Sequence, residues 1–148
     1  MTPVGGPLRG RVILGIGAGD GVGRATALHL AALGAAVVLA GPTLSDVVET
    51  AGLVAAAGGT VRVVEQPCPP CTLADAIRLA TAALDAPTDL FLGADAYASP
   101  DDLAAAEREA RASLAPGAHV AVLRRVPASE AKAAAERASR GFLEAAGR

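Results

Sequence analysis

The chain has 148 residues, a formal net charge of −2, 52% hydrophobic residues and only 2% aromatic residues. A chain of this length forms one domain with a sizeable core, and that core must consist of Ala, Val, Leu and Ile. The absence of a basic excess and of stacking aromatics argues against nucleic-acid binding, and no apolar run approaches the ~18 residues of a membrane span. With no secretory leader pattern and two cysteines, we expect a cytoplasmic protein.

Short β-branched segments alternate with longer periodic segments that are rich in Ala and Leu. The short segments predict buried strands at 11–16, 35–40, 60–66, 89–94 and 118–125. The periodic segments predict helices near 21–33, 44–57, 72–85, 100–114 and 128–146. Strands that are apolar on both faces and separated by helices indicate a parallel sheet covered on each side.

No segment has the composition of a linker that would divide the chain. We therefore expect a single α/β domain over residues 1–148, with residues 1–9 as a loose N-terminal tail. Five β-α units predict a small doubly wound sheet of strand order 3-2-1-4-5. Ligands of such sheets bind beyond the carboxyl ends of the strands where the order reverses, which here lies between the first and fourth strands.

The segment at that point, "GIGAGDGVGRATA" (15–27), has five glycines within nine residues and then continues into good helix formers. A diphosphate must approach backbone N–H groups closely, and a Cβ in the way prevents this. Gly17 would make the tight turn out of the strand, Gly21 would admit the phosphates, and Gly23 would let the helix pack on the sheet. The first turn of that helix would offer free N–H groups and a partial positive charge to the anion.

The spacing Gly-x3-Gly-x-Gly, followed by "GRATALHLAALGAAVVLAG", resembles the start of a short-chain dehydrogenase/reductase. The similarity continues through "LVAAAGGTVRVVEQ" and weakly beyond it. The resemblance implies a Rossmann-like fold, an NAD(P) cofactor, and catalysis by a Tyr-x3-Lys pair with an upstream serine. The cofactor-binding positions that it and the glycine spacing suggest are Gly17, Gly19, Asp20, Gly21, Val22, Gly23, Arg24, Gly41, Thr43, Gly93 and Ala94.

Some of these positions have a second interpretation. Asp20 also suits a cap at the helix start, and Arg24 would either reach a phosphate or lie solvated on the first turn. The end of the second strand, "LAGPTLSD", carries neither the acidic residue that favours NAD nor the arginine that favours NADP. Because Thr43 or Ser45 would hydrogen-bond a 2′-phosphate, NADP is favoured over NAD, and binding of no dinucleotide stays open.

The sequence departs from the family pattern at the catalytic positions. Lys132 matches the lysine of the Tyr-x3-Lys pair, but the tyrosine position holds Ala128, and Gly93 to Ala96 replace an Asn-Asn-Ala-Gly turn. Two functions follow as hypotheses. The favoured one is a nucleotide-binding or subunit module without standard dehydrogenase activity. The alternative is an atypical enzyme, redox or non-redox, that uses Tyr97 or Asp95 with Lys132 for proton transfer.

Cys68 and Cys71 form a Cys-x2-Cys spacing in "PCPPCT", which suggests either thiol exchange or two small thiols in a rigid loop. We expect no metal site, and His29 and His119 are expected to be packing or surface residues.

The last two predicted helices each carry a small-residue stripe, Leu103, Ala106, Ala110 and Leu114 in one and Ala131, Ala135, Ala138 and Phe142 in the other. These stripes predict a homodimer through both helices, or else simple packing on the sheet.

Overall fold

The computed structural model describes residues 6–19, 21–41, 43–64, 73–82, 87–93 and 99–147. It contains five strands, β1 (Val12–Ile16), β2 (Ala36–Ala40), β3 (Thr60–Val63), β4 (Asp89–Leu92) and β5 (Val120–Val122). The five helices are α1 (Gly21–Ala32), α2 (Leu44–Ala56), α3 (Leu73–Ala82), α4 (Pro100–Ser113) and α5 (Ala131–Ala146). One turn of 3₁₀ helix, Ala128–Glu130, leads into α5.

The strands form one all-parallel sheet of order β3-β2-β1-β4-β5, which confirms the predicted doubly wound fold. The predicted fifth strand, 118–125, is longer than β5. Its pairing partner β4 ends at Leu92, and the last hydrogen bond between them runs from Leu123 N to Leu92 O at 2.8 Å. Within the described ranges no pairing of β5 extends beyond that point, and Arg124 and Arg125 are exposed.

Alternate residues of the central strands face two separate apolar cores, as expected when both faces of a parallel sheet are covered. One face, with Ile13, Val37 and Phe91, packs against α1, α2 and α5. The other face, with Leu14, Val38 and Leu90, packs against α3 and α4. The last helix therefore crosses back to the α1 face, so α4 and α5 lie on opposite sides of the sheet.

The small-residue stripes of the last two helices point inward. Ala106 and Ala110 of α4 are fully buried against the sheet, and so are Ala135 and Phe142 of α5. Packing on the sheet, the second of the two interpretations, is therefore correct for these residues. The two stripes belong to separate cores, and a homodimer through the last two helices stays a prediction.

The prediction of a loose tail over residues 1–9 is wrong for its second half. Leu8 is fully buried in the α1-side core, and its N–H donates to Leu33 O at the end of α1 over 2.9 Å. A single apolar residue between Pro7 and Arg9 belongs to no periodic pattern, which is why the sequence did not indicate its burial. Residues 1–5 lie outside the described part of the chain.

A buried carboxylate ties three strands together at the amino edge of the sheet. Asp89, 1% exposed, accepts hydrogen bonds from Arg11 Nε and Nη2, each at 3.0 Å. It also accepts from Thr88 Oγ1 at 3.0 Å and from His119 N at 2.8 Å. These donors precede β1, β4 and β5, so the carboxylate fixes the starts of these strands, at the edge of the sheet opposite the glycine loop.

On the other face, α3 and α4 are joined by an exposed ion-pair cluster. Arg78 of α3 donates to Asp75 on its own helix and, over 3.2 Å, to Glu109 of α4. The hydrogen bond to Asp75 raises the pKa of Arg78 above its ordinary value.

Candidate functional site

The candidate site lies at the carboxyl edge of the sheet, where β1 and β4 diverge toward different connections. Gly93, just after β4, donates its N–H to Ile16 O at 2.6 Å, which holds the two strand ends together. After β1 the chain turns toward β2, because the N–H groups of Gly17 and Ala18 both donate to Ala40 O, at 2.8 and 3.3 Å. The glycine loop, Gly17–Gly23, therefore starts from a fixed position above the strand-order reversal.

Two of the glycine roles expected from the sequence are visible in the backbone. Gly17 has a φ of 83°, the left-handed conformation that the tight turn out of β1 requires. A Cβ at Gly23 would lie 2.1 Å from Gly17 O, so only glycine lets α1 pack this closely on the loop. The glycines thus bring the start of α1 directly over the end of β1.

Gly21, the first residue of α1, differs from the other two because nothing packs on it. It is exposed, has a φ of 56°, and a Cβ built there would meet no atom within 4 Å. The first N–H groups of a helix have no intrahelical acceptor. α1 is twelve residues long and has no acidic residue in its own first turn, and its aligned peptide dipoles give its N-terminus a partial positive charge. This open, positively polarised end fits the diphosphate of a dinucleotide.

Arg24 is partly buried and donates hydrogen bonds to α2 and to the glycine loop. Its Nη2 donates to Gly19 O at 2.7 Å, its Nε to Thr50 Oγ1 at 2.9 Å, and its Nη1 to Glu49 at 3.1 Å. Thr50 is fully buried and also donates to Gly19 O, at 3.3 Å. The guanidinium thus holds the loop against α2, a positioning role that the sequence analysis did not consider.

Thr50 and the α2 backbone are functional neighbours that sequence reasoning missed. The position of Thr50 in the helix could have indicated this role, because Thr50 falls between Val47 and Val54 on the buried stripe of α2. A polar side chain on an apolar stripe requires a hydrogen-bond partner. Gly19 is buried against the same helix, since a Cβ there would lie 2.9 Å from Asp46 Cβ.

The residues at the end of β2, where a dinucleotide's adenosine would lie, have small and uncharged side chains. Gly41 is buried, and a Cβ there would come within 2.7 Å of Val47 Cγ2. Thr43 precedes α2 with an extended backbone and is exposed, and its hydroxyl does not cap the helix. The Thr43 hydroxyl is therefore available to an incoming hydrogen-bond acceptor.

The catalytic hypothesis rests on residues that are only partly described. Lys132 lies in the first turn of α5 and is exposed, and Ala128 is exposed in the 3₁₀ turn before it. Tyr97, Asp95 and Ala94 lie outside the described residues, as do Asp20 and the pair Cys68 and Cys71. A proton-transfer pair between Lys132 and Tyr97 or Asp95 stays a prediction.

Both histidines are packing groups at the interface of α5. His29 Nδ1 lies 2.8 Å from Ser139 Oγ, and the His119 ring meets the Phe142 ring edge-on at 4.7 Å between centroids. Within the described ranges, no group of three or more His, Cys, Asp or Glu is placed to hold a metal ion. The described helices include none that is long and apolar enough to cross a membrane.

These features define a doubly wound α/β protein with a glycine loop and an open helix N-terminus at the strand-order reversal. No protein-family model matches the chain, and no curated relative matches it. Solved structures with the same fold are short-chain dehydrogenase/reductases. The enzyme from Serratia marcescens BCRC 10948 aligns with a TM-score of 0.61 and 23% identity, over 95% of this chain and 70% of that one.

Two further structures agree. The citronellol catabolism dehydrogenase (AtuB) of Pseudomonas aeruginosa PAO1 aligns with a TM-score of 0.64 and 24% identity, over 93% of this chain and 67% of that one. A short chain dehydrogenase from Salmonella enterica serovar Typhi CT18 aligns with a TM-score of 0.55 and 23% identity, over 74% of this chain and 53% of that one. The resemblance expected from the glycine segment is thus confirmed at the level of the fold, and the chain spans roughly half to two thirds of these proteins.

Proposed function

We propose that this protein is a shortened, divergent short-chain dehydrogenase/reductase that binds NADP, or NAD, at the glycine loop and acts as a binding or subunit module. The observation that carries the proposal is Gly21, whose exposed backbone and left-handed φ leave open space at the start of α1. Gly17 and Gly23 support it, because they bring that helix end to the point where the strand order reverses.

NADP is the favoured cofactor of this proposal. The residues that follow β2 include no acidic side chain at the position that would repel a 2′-phosphate, and Thr43 offers an exposed hydroxyl one residue before α2. Arg24 supports the site indirectly by holding Gly19 against α2. Backbone N–H groups of α1 would hold the diphosphate itself.

The proposal includes the loss of the standard redox reaction. A bound nicotinamide would donate or accept a hydride, but a carbonyl substrate also needs a proton donor beside it. Ala128 stands where the family resemblance places the tyrosine, and it has no hydroxyl. Lys132 alone would orient a ribose without completing the proton transfer.

Calorimetry and thermal shift with NADPH, NADH and ATP test the nucleotide site. We expect NADPH to bind most tightly and to raise the melting temperature. Gly21→Ala should weaken NADPH binding at least about tenfold, because its Cβ enters the diphosphate position. Gly58→Ala is the matched control, since Gly58 also has a positive φ (85°) and open space around a Cβ, but lies at the far end of α2.

The same samples distinguish the possible failures. If Gly21→Ala and Gly58→Ala weakened NADPH binding equally, the effect would be due to lost stability, and the proposed site at the glycine loop would be contradicted. An absence of any heat or thermal shift with all three nucleotides would overturn nucleotide binding altogether. An NADPH-dependent turnover that is lost in Tyr97→Phe and in Lys132→Ala would replace the binding module by an enzyme.

A further inference from the structure

A second concave site lies beside the start of α1, on the side away from β2. It is a cavity of about 360 Å³ between α1, the residues that follow β5, and α5. Its apolar walls are contributed by Val22 of α1, Val122 and Val126 around the end of β5, and Ala134 of α5. The volume falls within the range of small-molecule sites in proteins.

Two arginines line the same cavity from different elements. Arg124 follows β5 and Arg137 lies in the second turn of α5. Neither has an ion-pair or hydrogen-bond partner among the residues that the structure describes. No acidic side chain is among the residues that line the cavity.

The surrounding segment is also basic, although the whole chain is acidic. Residues 124–147 contain five basic and three acidic side chains, whereas the complete sequence has a net charge of −2. An apolar cavity lined by two guanidinium groups that have no partner among the described residues favours a molecule with an apolar body and a negatively charged group. Guanidinium groups pair with carboxylates through two parallel hydrogen bonds, which a neutral polar group does not offer.

We propose that this cavity binds a small organic carboxylate, with its apolar body against the valines and its carboxylate between Arg124 and Arg137. Val22 is the one lining residue that also belongs to the glycine loop, and the other seven lie in β5, in the segment that follows it and in α5. The site would place an organic acid next to the first turn of α1.

NMR titration of the full chain with hexanoate, in the absence of nucleotide, tests this site. We expect hexanoate to shift the resonances of Val22, Val122, Val126 and Ala134 in a saturable way. Hexanamide has the same shape without the charge and should bind at least about fivefold more weakly. Nucleotide is left out so that a failure of NADPH binding has no bearing on the result.

Exposed arginines that do not line the cavity provide matched controls. Arg124→Gln and Arg137→Gln should each weaken hexanoate binding about fivefold, whereas Arg125→Gln and Arg140→Gln should leave it unchanged. Equal affinity for hexanoate and hexanamide would overturn the proposal, and so would equal effects of all four variants. An absence of saturable shifts at these residues with hexanoate would overturn it as well.

Discussion

Phe91 of β4 fills the space that a side chain at Gly15 of β1 would occupy. The two residues are register partners in the parallel β1–β4 pair, and both are buried. A Cβ at Gly15 would lie 2.3 Å from Phe91 Cζ. Gly15 therefore serves the packing between the two strands that flank the strand-order reversal, and it does not serve loop flexibility.

Gly15→Ala should lower the free energy of unfolding by about 2–3 kcal/mol, because the new Cβ would overlap the Phe91 ring, which is fully buried in the α1-side core. The clash involves only the far atoms of the ring, which leucine lacks. The double variant Gly15→Ala/Phe91→Leu should thus be at least about 1 kcal/mol more stable than the sum of the single effects predicts. Urea denaturation measures all four proteins, and additive effects would contradict this account.

Gly23→Ala should be more damaging, with a loss of at least about 3 kcal/mol or failure to fold, because the new Cβ would meet backbone atoms that side-chain motion does not relieve. Gly52→Ala is the matched helical control, since Gly52 is exposed in α2 with open space around a Cβ. That change should stabilise the protein by about 0.5–1 kcal/mol. Thermal unfolding gives both values, and similar losses in the two variants would be inconsistent with the close approach of α1.

The Arg24–Thr50 contact should show energetic coupling of about 1 kcal/mol in a double-mutant cycle of Arg24→Gln and Thr50→Val. Arg24→Lys keeps the charge but not the planar fork, so it should recover little of the lost stability. Chemical denaturation of the four proteins gives the coupling. A value near zero would mean that Arg24 does not hold the glycine loop through Thr50.

His29 should carry its neutral-state proton on Nδ1. Ser139 Oγ donates to Ala135 O at 2.8 Å, which leaves the hydroxyl oxygen as an acceptor for the His29 Nδ1–H. Nitrogen-15 NMR of the neutral imidazole should detect this tautomer, and Ser139→Ala should restore the Nε2–H form that is usual in solution. An Nε2–H tautomer in the unmodified protein would show that the hydrogen bond runs the other way.

The fold was predictable because each of its elements is marked locally. β-branched segments indicated five strands, and the periodic segment near 100–114 indicated α4, which begins with Ser99 Oγ accepting from Asp102 N at 3.1 Å. The side of the sheet that α5 covers was not predictable, because both faces of the sheet are apolar and accept a helix with a small-residue stripe.

The site was predictable only where one residue determines its own conformation. The roles of Gly17 and Gly23 follow from spacing, since both lie within one turn of the same loop. The direction of Arg24 depends on Thr50, which is 26 residues away, and on Gly19 O. Such contacts arise from the packing of α2 beside α1. They could not be predicted from the residues next to Arg24 in the sequence.

The buried carboxylate of Asp89 makes incorrect strand pairing costly during folding. A slip of β4 by one residue would place Asp89 away from Arg11 and from the N–H of His119, and would leave a charge in the interior without compensation. The same slip would turn every leucine of β4 toward the wrong layer of helices. Misaligned intermediates of this sheet are therefore expected to be short-lived, because one ionic group at the edge opposite the ligand site penalises each of them.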